Sequence, residues 1–407
     1  MLFLTKKVYI ENPYLSEIEA NIIDKKKKDD TYHIKLDKTI FYPHLSGGQP
    51  GDIGTINGIE VLESYEENDD IYHIVKENIN ENKVQISIDF DNRLDMMQQH
   101  TGQHLLSSCF YRLFNAETIS FHVGHDYVSI DVTMSDLSEE DAEKLEIMAN
   151  KIIWSNFNIK SYFPSQERLK RLPLRKMPTV TKNIRIVEID GFDYSPCGGT
   201  HLKSTGELGI IKIRKWEKYK GNIRVEFVCG NRALKDYIWK NKYIKDLSLM
   251  LSSLDKDLLA KVKKLYDDKN YLEKEIRDLR ESLNKIKGEE FLKSSLLNEN
   301  VNFIVKELEN TSFLEISFIS SYLNNNNENL VQIYGLRNQD KGQFYITKTK
   351  DVNINLMDIY KDIASKKNIK GGGNPNTIQG GLELETIENT MKTFYEAIVD
   401  ELKVRKS

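Results

Sequence analysis

Two short motifs contain side chains that commonly bind metal ions, and the first of them is His100-Thr101-Gly102-Gln103-His104. Its two imidazoles are four residues apart, so on a helix they share one face and differ by about 6 Å in rise, a spacing that suits two ligands of one small cation. The motif lacks the glutamate that follows the first histidine in zinc-protease helices, which disfavours that class of enzyme. Alone, such a pair is more often an ordinary surface or packing feature than a metal site.

The second motif, Cys197-Gly198-Gly199-Thr200-His201, places a thiol and an imidazole around a Gly-Gly turn that can aim both at one point. Together the two motifs offer one Cys and three His, the donor set that tetrahedral Zn²⁺ prefers. We therefore predict a zinc site formed by His100, His104, Cys197 and His201. The rival interpretation makes Cys197 a nucleophile with His201 as its base, because the same turn suits either use.

Length and composition limit the classes of protein that this chain can represent. The 407 residues predict roughly two to four domains, and 39% hydrophobic with 29% charged residues is a globular composition. The net charge of −4 means that contacts with nucleic acid depend on local basic patches. Three cysteines cannot form a disulfide framework, and neither a signal pattern nor a long apolar run is present, so we expect a cytoplasmic protein.

The residue pattern predicts a multidomain α+β protein. Residues 1–90 form a small β-barrel-like domain with a Gly- and Pro-rich loop at 41–54, because short runs such as 31–36 and 83–88 alternate apolar and polar positions. Residues 91–236 mix helical and strand patterns and form an α+β core that contains the zinc motifs. Residues 299–407 alternate strands and helices in a C-terminal α/β domain with a glycine-rich segment at 370–381.

Residues 237–298 connect these domains and predict a helical hairpin or a coiled coil. Apolar side chains recur at alternating steps of four and three residues over four heptads, and only Lys269 breaks the pattern. The seam consists of Leu258, Val262, Leu265, Leu272, Ile276, Leu279, Leu283 and Ile286. The remaining positions are densely charged, which excludes a membrane helix. The seam therefore joins two segments of the chain or forms a homodimer.

These motifs together resemble the alanyl-tRNA editing proteins in their long AlaX form, over essentially the whole chain. The two zinc motifs resemble the editing domain of alanyl- and threonyl-tRNA synthetases, and the Gly47-Gly48-Gln49 loop is typical of the alanyl branch. Residues 240–407 resemble the C-terminal DHHA1-type domain, whose signature is the glycine-rich segment. The loop departs from the family at His44-Leu45-Ser46, where it is one residue longer. No segment resembles a synthetase adenylation core, and none fits a Walker sequence, so we expect no ATP site.

The resemblance implies a free-standing, zinc-dependent deacylase that hydrolyses serine, or glycine, from the 3′ end of alanine-specific tRNA. Editing is needed because a small apolar pocket rejects an added hydroxyl by only roughly a hundredfold and cannot exclude a smaller side chain. By the same resemblance, His100, His104, Cys197 and His201 match the metal motif. Gly47, Gly48 and Gln49 match the loop that borders the pocket.

Four protein ligands would fill a tetrahedral site, whereas a catalytic zinc normally keeps one position open. Either one residue is a weak ligand, or the zinc positions the substrate while a nearby water attacks. We take three polar side chains within the motifs as candidate catalytic groups: Gln49, Gln103 and Thr200. Recognition of serine requires polar side chains in the pocket, and the candidates are Thr118, Ser120 and His122. The alternative is that they are ordinary polar side chains of a strand, without a role in the pocket.

Basic residues after the second motif are candidates for tRNA contact, since clustered cations attract phosphates and Trp216 could stack on a terminal base. The cluster comprises Lys212, Arg214, Lys215, Trp216, Lys218, Lys220 and Arg224. Gly371, Gly372 and Gly373 could approach a phosphate or simply pack against another strand. The competing hypotheses are a tRNA-binding protein with a structural zinc and no turnover, and a zinc hydrolase of small molecules.

Overall fold

The computed structural model describes residues 4–44, 48–124, 126–178, 183–338, 341–367 and 369–404. These residues divide into two compact units, Met1–Met250 and Leu251–Ser407. The finer division into four domains stays a prediction. Both units combine helices with β-sheets, so the chain is a multidomain α+β protein. No helix among the described residues is both long enough and apolar enough to span a bilayer.

The first unit begins with a closed β-barrel. Two short strands, β1 (Lys6–Lys7) and β4 (Lys38–Thr39), pair beside a short helix, α1 (Val8–Glu11). The barrel strands are β2 (Glu17–Lys28), β3 (Thr31–Leu36), β5 (Gly54–Ile56), β6 (Ile59–Glu67), β7 (Asp70–Val75) and β8 (Lys83–Ile88). They close in the order β2-β3-β7-β6-β5-β8 around an apolar core that includes Ile34, Leu36, Ile56 and Ile86.

A fully buried ion pair joins the barrel to the helix that follows it. Helix α2 (Phe90–Phe114) carries Arg93, whose Nε donates to Asp52 Oδ1 at 2.8 Å and whose Nη2 also contacts Asp52 Oδ2. The guanidinium donates further to the carbonyls of Pro13 and Ile40 at 2.8 and 2.6 Å. Because Arg93 and Asp52 are almost completely removed from solvent, removing either one would leave a buried charge without compensation.

Helix α2 forms the centre of the α+β core of this unit. Asp89 caps its first turn by accepting from the backbone N–H of Asn92, and Asn115 ends it in a left-handed conformation. Most of its residues from Met96 to Phe110 are buried, because other elements surround the helix. These include a four-stranded sheet in the order β14-β15-β10-β9 and helix α3 (Glu139–Trp154). The sheet comprises β9 (Thr118–Val123), β10 (Val128–Val132), β14 (Ile211–Tyr219) and β15 (Asn222–Cys229).

A three-stranded antiparallel sheet completes the core, in the order β11-β12-β13. Its strands are β11 (Ile159–Tyr162), β12 (Ile186–Ile189) and β13 (Asp193–Pro196), and the short helix α4 (Gln166–Arg171) lies between the first two along the chain. The second zinc motif follows β13 directly. Helix α5 (Gly230–Leu251) begins after β15.

The second unit contains a six-stranded sheet in the order β16-β17-β18-β19-β21-β20, in which only β17 and β18 are parallel. Its strands are β16 (Leu296–Asn298), β17 (Val301–Glu309), β18 (Leu330–Asn338), β19 (Lys341–Lys348), β20 (Lys370–Asn374) and β21 (Thr377–Leu382). The accompanying helices are α7 (Phe313–Asn326), α8 (Leu356–Lys366) and α9 (Ile387–Val404).

The glycine-rich segment forms a β-hairpin at the sheet edge, whereas the sequence left open a phosphate-binding loop. Strands β20 and β21 pair from Lys370 opposite Gly381 to Asn374 opposite Thr377. A Cβ at Gly373 would lie 2.1 Å from the Thr377 carbonyl oxygen, so a side chain there would collide with the neighbouring strand. This supports the alternative of close packing against another strand. Gly371, Gly372 and Gly373 line a cleft together with Phe313 and Tyr345.

Helix α6 (Leu258–Lys293) contains the whole predicted heptad seam in one continuous helix. Within the second unit the seam is largely exposed, because only Leu258 among its apolar side chains is buried, while Val262 is 46% and Ile286 63% exposed. The other faces of the helix carry many charged residues, and i,i+4 pairs such as Lys269 with Glu273 support the helical conformation.

Candidate metal centre and adjoining cavity

Four potential metal ligands converge at a buried point in the α+β core. Helix α2 supplies His100 and His104 one turn apart, and the loop after β13 supplies Cys197 and His201. One ligand atom from each residue lies within 4.8 Å of the others. The three histidines are buried and Cys197 is half-buried. The structure thus brings together the four residues that the sequence predicts as ligands.

The barrel loop contacts the His100 imidazole at the ring nitrogen that does not face Cys197. Nδ1 of His100 lies 2.9 Å from Oε1 of Gln49, which leaves Nε2 directed at the Cys197 sulfur, 3.4 Å away. The amide of Gln49 is fixed in turn by Thr200, whose hydroxyl lies 2.8 Å from Gln49 Nε2. Gln49 and Thr200 are both buried. These two candidate catalytic residues therefore orient a ligand rather than face open space.

The remaining ligands of the second motif are held by helix α2 and by the loop itself. Nδ1 of His201 lies 3.1 Å from the hydroxyl of Thr101, and its Nε2 lies 3.3 Å from the Cys197 sulfur. The backbone N–H of Gly199 donates to that sulfur at 3.4 Å. Arg185 donates to the carbonyls of Cys197 and Gly199 at 3.2 and 2.7 Å, which fixes the turn.

His104 has a carboxylate behind it instead of a neutral partner. Its Nδ1 is buried, lies 3.7 Å from Oδ2 of Asp193 and has no hydrogen-bond partner among the described residues. Asp193 accepts from Nε of Arg175 at 3.0 Å and from the hydroxyl of Ser195 at 2.8 Å. This buried carboxylate was not among the site residues predicted from the sequence.

The protonation states of the cluster fit a divalent cation. Burial raises the pKa of the Cys197 thiol, but the surrounding imidazoles oppose it and hold that pKa well below its usual value. Burial lowers the pKa of His201 to about 3, so this ring is neutral at pH 7. Burial also lowers the pKa of His104, yet Cys197 and Asp193 together raise it to about 9. A thiolate with neutral imidazoles is the ligand form that zinc requires, and a bound cation would take the place of the proton on His104.

A small cavity opens beside the four ligands. Its volume is about 270 Å³, and its lining includes His100, His104 and Cys197. Strand β9 contributes Thr118, Ile119, Ser120 and Phe121, and the segment 175–178 forms the opposite wall. Phe121 stacks on His100 with ring centroids 5.2 Å apart. The cavity has the size of a small organic group and provides polar side chains next to the metal ligands.

Only some of the residues predicted for the pocket line this cavity in the structure. Thr118, Ser120 and Gln103 line the cavity, whereas His122 is exposed and is not among the described residues of its lining. Gly48 adopts a positive φ and approaches Phe121 so closely that a Cβ would lie 2.8 Å from that ring. Gly47, like Leu45 and Ser46 of the lengthened loop, lies outside the described residues.

The hydroxyl groups of the cavity wall donate to the framework. Thr118 Oγ1 donates to Ser107 Oγ at 2.6 Å, and Gln103 Nε2 donates to the same oxygen at 2.8 Å. Ser120 Oγ donates to Asp131 at 2.6 Å. Since a hydroxyl has one proton, the oxygens of Thr118 and Ser120 can only accept hydrogen bonds from a bound molecule.

Most of the predicted tRNA-binding residues already have acidic partners. Lys212 lies 2.6 Å from Glu146, and Lys215 lies 2.9 Å from Glu226. Longer contacts join Arg214 to Asp236 at 3.8 Å and Lys218 to Asp136 at 3.9 Å, and the Lys220 ammonium lies over the Tyr219 ring.

Two residues of this cluster also have structural contacts. The indole of Trp216 donates to the Leu137 carbonyl at 2.8 Å and packs, partly buried, against the core, so these contacts fix the orientation of its ring. Arg224 forms two hydrogen bonds to Asp131, the acceptor of the Ser120 hydroxyl, and so supports the cavity wall.

The functional residues missed at the sequence level lie close to the motifs. Thr101 is inside the first motif, Asp193 and Ser195 directly precede the second, and Arg185 comes twelve residues before Cys197. A polar residue beside a buried ligand is the signal that could have indicated them, because a buried ring nitrogen needs a partner. Phe121 is apolar, so this criterion could not have indicated it.

One family model matches this part of the chain. Residues 184–226 match the threonyl and alanyl tRNA synthetase second additional domain. The matched segment contains Cys197 and His201 together with Arg185 and Asp193.

Similar proteins include both free-standing editing proteins and synthetases. The chain is 34% identical to the alanyl-tRNA editing protein AlaX-L of Pyrococcus horikoshii, over 95% of this chain and 96% of that protein. It is 33% identical to the alanyl-tRNA editing protein Aarsd1 of Danio rerio, over 58% of this chain and 59% of that protein. The similarity to the alanine–tRNA ligase of Pyrococcus abyssi is 27%, over 95% of this chain but only 43% of the ligase.

The geometry predicts that Gly199→Ala disrupts the metal centre. An added Cβ would lie 2.2 Å from Cε1 of His100, so the ring or the loop must move and the ligands can no longer meet. We expect the purified variant to contain little zinc by elemental analysis, with the wild-type circular dichroism spectrum. Gly198→Ala is the matched control, since its Cβ would meet nothing within 4 Å and should leave the zinc content unchanged. Full zinc occupancy in both variants would contradict the described loop geometry.

Proposed function

Since the chain belongs to the alanyl-tRNA editing proteins, we propose that it hydrolyses the ester between a wrong amino acid and the 3′ end of alanine-specific tRNA. Water and the aminoacyl ester are converted to a free amino acid and a tRNA with a free 3′ hydroxyl. The observation that carries this proposal is the buried cluster of His100, His104, Cys197 and His201 at the wall of a small polar cavity.

We propose zinc as the cofactor held by these four residues. When bound, zinc supplies a Lewis acid at the point where negative charge develops on the ester carbonyl. The chain itself orients the site: Gln49 holds His100, and Thr101 holds His201. The cavity wall between β9 and segment 175–178 confines the aminoacyl group beside the ligands.

The direction of the wall hydrogen bonds supports serine as the substrate amino acid. Thr118 and Ser120 present acceptor oxygens, whereas a seryl ester brings two kinds of donor, its α-ammonium and its side-chain hydroxyl. Alanine offers no side-chain donor, so the cavity gives correctly charged tRNA one interaction fewer. Glycine is small enough to enter but makes only the ammonium contacts.

We also propose which surfaces contact the tRNA outside its 3′ end. On β14 the exposed Lys218 pairs with the exposed Asp136, and such surface pairs contribute little, so a phosphate can replace this carboxylate. The ammonium of Lys212 is exposed as well, although its partner Glu146 is largely buried. In the C-terminal unit none of the described residues that line the cleft at Gly371–Gly373 is charged, which suits an unstacked base better than a phosphate.

We also propose that a second copy of this chain covers the seam of α6. Leucine or isoleucine occupies every d-type position, from Leu258 to Ile286, while Val262 and Ile276 provide β-branched residues at a-type positions. This combination favours a two-stranded parallel coiled coil, and a single polar residue at an a position, here Lys269, sets the register.

The central test is the deacylation rate of Ser-tRNA(Ala), with Ala-tRNA(Ala) and Ser-tRNA(Ser) as comparisons. We expect fast hydrolysis of Ser-tRNA(Ala) alone, lost on chelation and restored by zinc. His104→Ala and Cys197→Ala should each reduce the rate by about 10²–10³-fold, because the charge stabilisation at the ester is lost. His33→Ala on the barrel surface should leave the rate unchanged.

Two outcomes would contradict this function. Full activity of both ligand variants would exclude the metal cluster as the hydrolytic site. Tight tRNA binding with no hydrolysis above the spontaneous rate by wild-type protein would favour a tRNA-binding protein with a structural zinc.

The wall geometry predicts that Thr118→Val weakens hydrolysis of seryl-tRNA(Ala) by about tenfold, since one accepting oxygen worth roughly 1.4 kcal/mol is removed at nearly constant volume. Glycyl-tRNA(Ala), which lacks the hydroxyl, should be hydrolysed at the wild-type rate. Both rates are measured by single-turnover deacylation. Thr55→Val on barrel strand β5 is the control. An equal loss for both substrates would assign Thr118 to the ammonium or to packing instead of the hydroxyl.

The coiled-coil proposal predicts a dimer in sedimentation experiments at micromolar concentration. The double variant Leu272→Asp with Leu279→Asp should sediment as a monomer, because two charges would be buried in the seam. Lys274→Asp, on the outward face of α6, should remain dimeric. A monomeric wild-type protein would show that the seam is covered in another way.

A further inference from the structure

We propose that Asp193 is a positioning residue for His104, and that it sets the affinity of the metal centre. This inference rests on the proposed zinc site and adds a residue that neither motif contains. The carboxylate lies on β13, is buried, and has Oδ2 3.7 Å from Nδ1 of His104.

The other three ligands show what His104 lacks. Each has a hydrogen-bonding group at a fixed position: Gln49 for His100, Thr101 for His201 and the Gly199 N–H for the Cys197 sulfur. Among the described residues, only the Nδ1 of His104 is a buried ring nitrogen without such a bond. Asp193 is the acceptor beside it, so a small rotation of the imidazole completes the set.

A carboxylate behind a metal-bound histidine has a definite chemical effect. By accepting a hydrogen bond from the N–H at Nδ1 it fixes the tautomer, so that Nε2 is free to bind the metal, and it makes the ring a stronger electron donor to the metal.

Arg175 and Ser195 hold the Asp193 carboxylate in place. Its Nε donates to Oδ1 of Asp193 at 3.0 Å, and Ser195 donates to Oδ2 at 2.8 Å, which leaves Oδ2 shared between the hydroxyl and the imidazole. Arg175 also lines the cavity, and its backbone N–H is bonded to the Tyr194 carbonyl at 3.2 Å. One carboxylate therefore connects a metal ligand with the cavity wall.

The test compares zinc affinities by chelator competition in wild type, Asp193→Asn and Asp190→Asn. We expect Asp193→Asn to bind zinc about 10- to 100-fold more weakly, the usual effect of losing such a partner. Asp190, three residues away, forms a salt bridge with the exposed Lys160 at 2.9 Å, so its variant should retain wild-type affinity. The absorption spectrum of the cobalt-loaded protein should change in Asp193→Asn alone.

A purely structural role would give a different result. If Asp193 served only to neutralise Arg175, Asp193→Asn would destabilise the metal-free protein but bind zinc with unchanged affinity, and the inference would be wrong. Because Asp193→Asn leaves Arg175 buried without its partner, the double variant Asp193→Asn with Arg175→Gln is tested as well. It removes both charges, should fold, and should still bind zinc weakly. Failure of the wild type to bind zinc would instead contradict the proposed cofactor.

Discussion

The core of the first unit depends on one constraint: three imidazoles and a thiol converge at a buried point, and each needs a partner on its other side. A buried polar group without a hydrogen bond is costly, so the partners must come from the surrounding framework. Gln49, Thr101 and the Gly199 backbone provide three of them. These partners lie on the barrel loop, the central helix and the turn itself, and the site therefore requires all three elements to be in register.

The same requirement explains why a β-barrel precedes the editing core. Gln49 reaches His100 only if the barrel loop is fixed against α2, and the buried pair of Arg93 and Asp52 makes that connection. Asp52 accepts the Tyr42 N–H at one end of the loop and binds Arg93 of the helix at the same time. Buried contacts thus join the barrel to the helix, and together they hold the His100 imidazole in place.

Sequence alone predicts the parts of this site that depend on residue type and spacing. The two motifs pointed to the four residues that the structure brings together, and β3, β8 and the heptads of α6 followed from apolar periodicity. It could not predict Asp193 behind His104, because that contact joins residues 89 positions apart. The pairing of Lys212 with Glu146 and the indole bond of Trp216 were missed for the same reason, since local composition does not show which surface charge or ring already has a partner.

The arrangement of hydrogen-bond acceptors in the cavity suits the editing function proposed above. A pocket that selects by size rejects a hydroxyl poorly, whereas a site with acceptors placed for a hydroxyl discriminates against the analogue that lacks it. Thr118 and Ser120 use their own protons on Ser107 and Asp131, and Arg224 holds Asp131 in place. Their oxygens are therefore fixed as acceptors before any substrate arrives. Under the proposed function, a seryl hydroxyl would donate to one of them, whereas an alanyl group would displace water from them without replacing its hydrogen bonds.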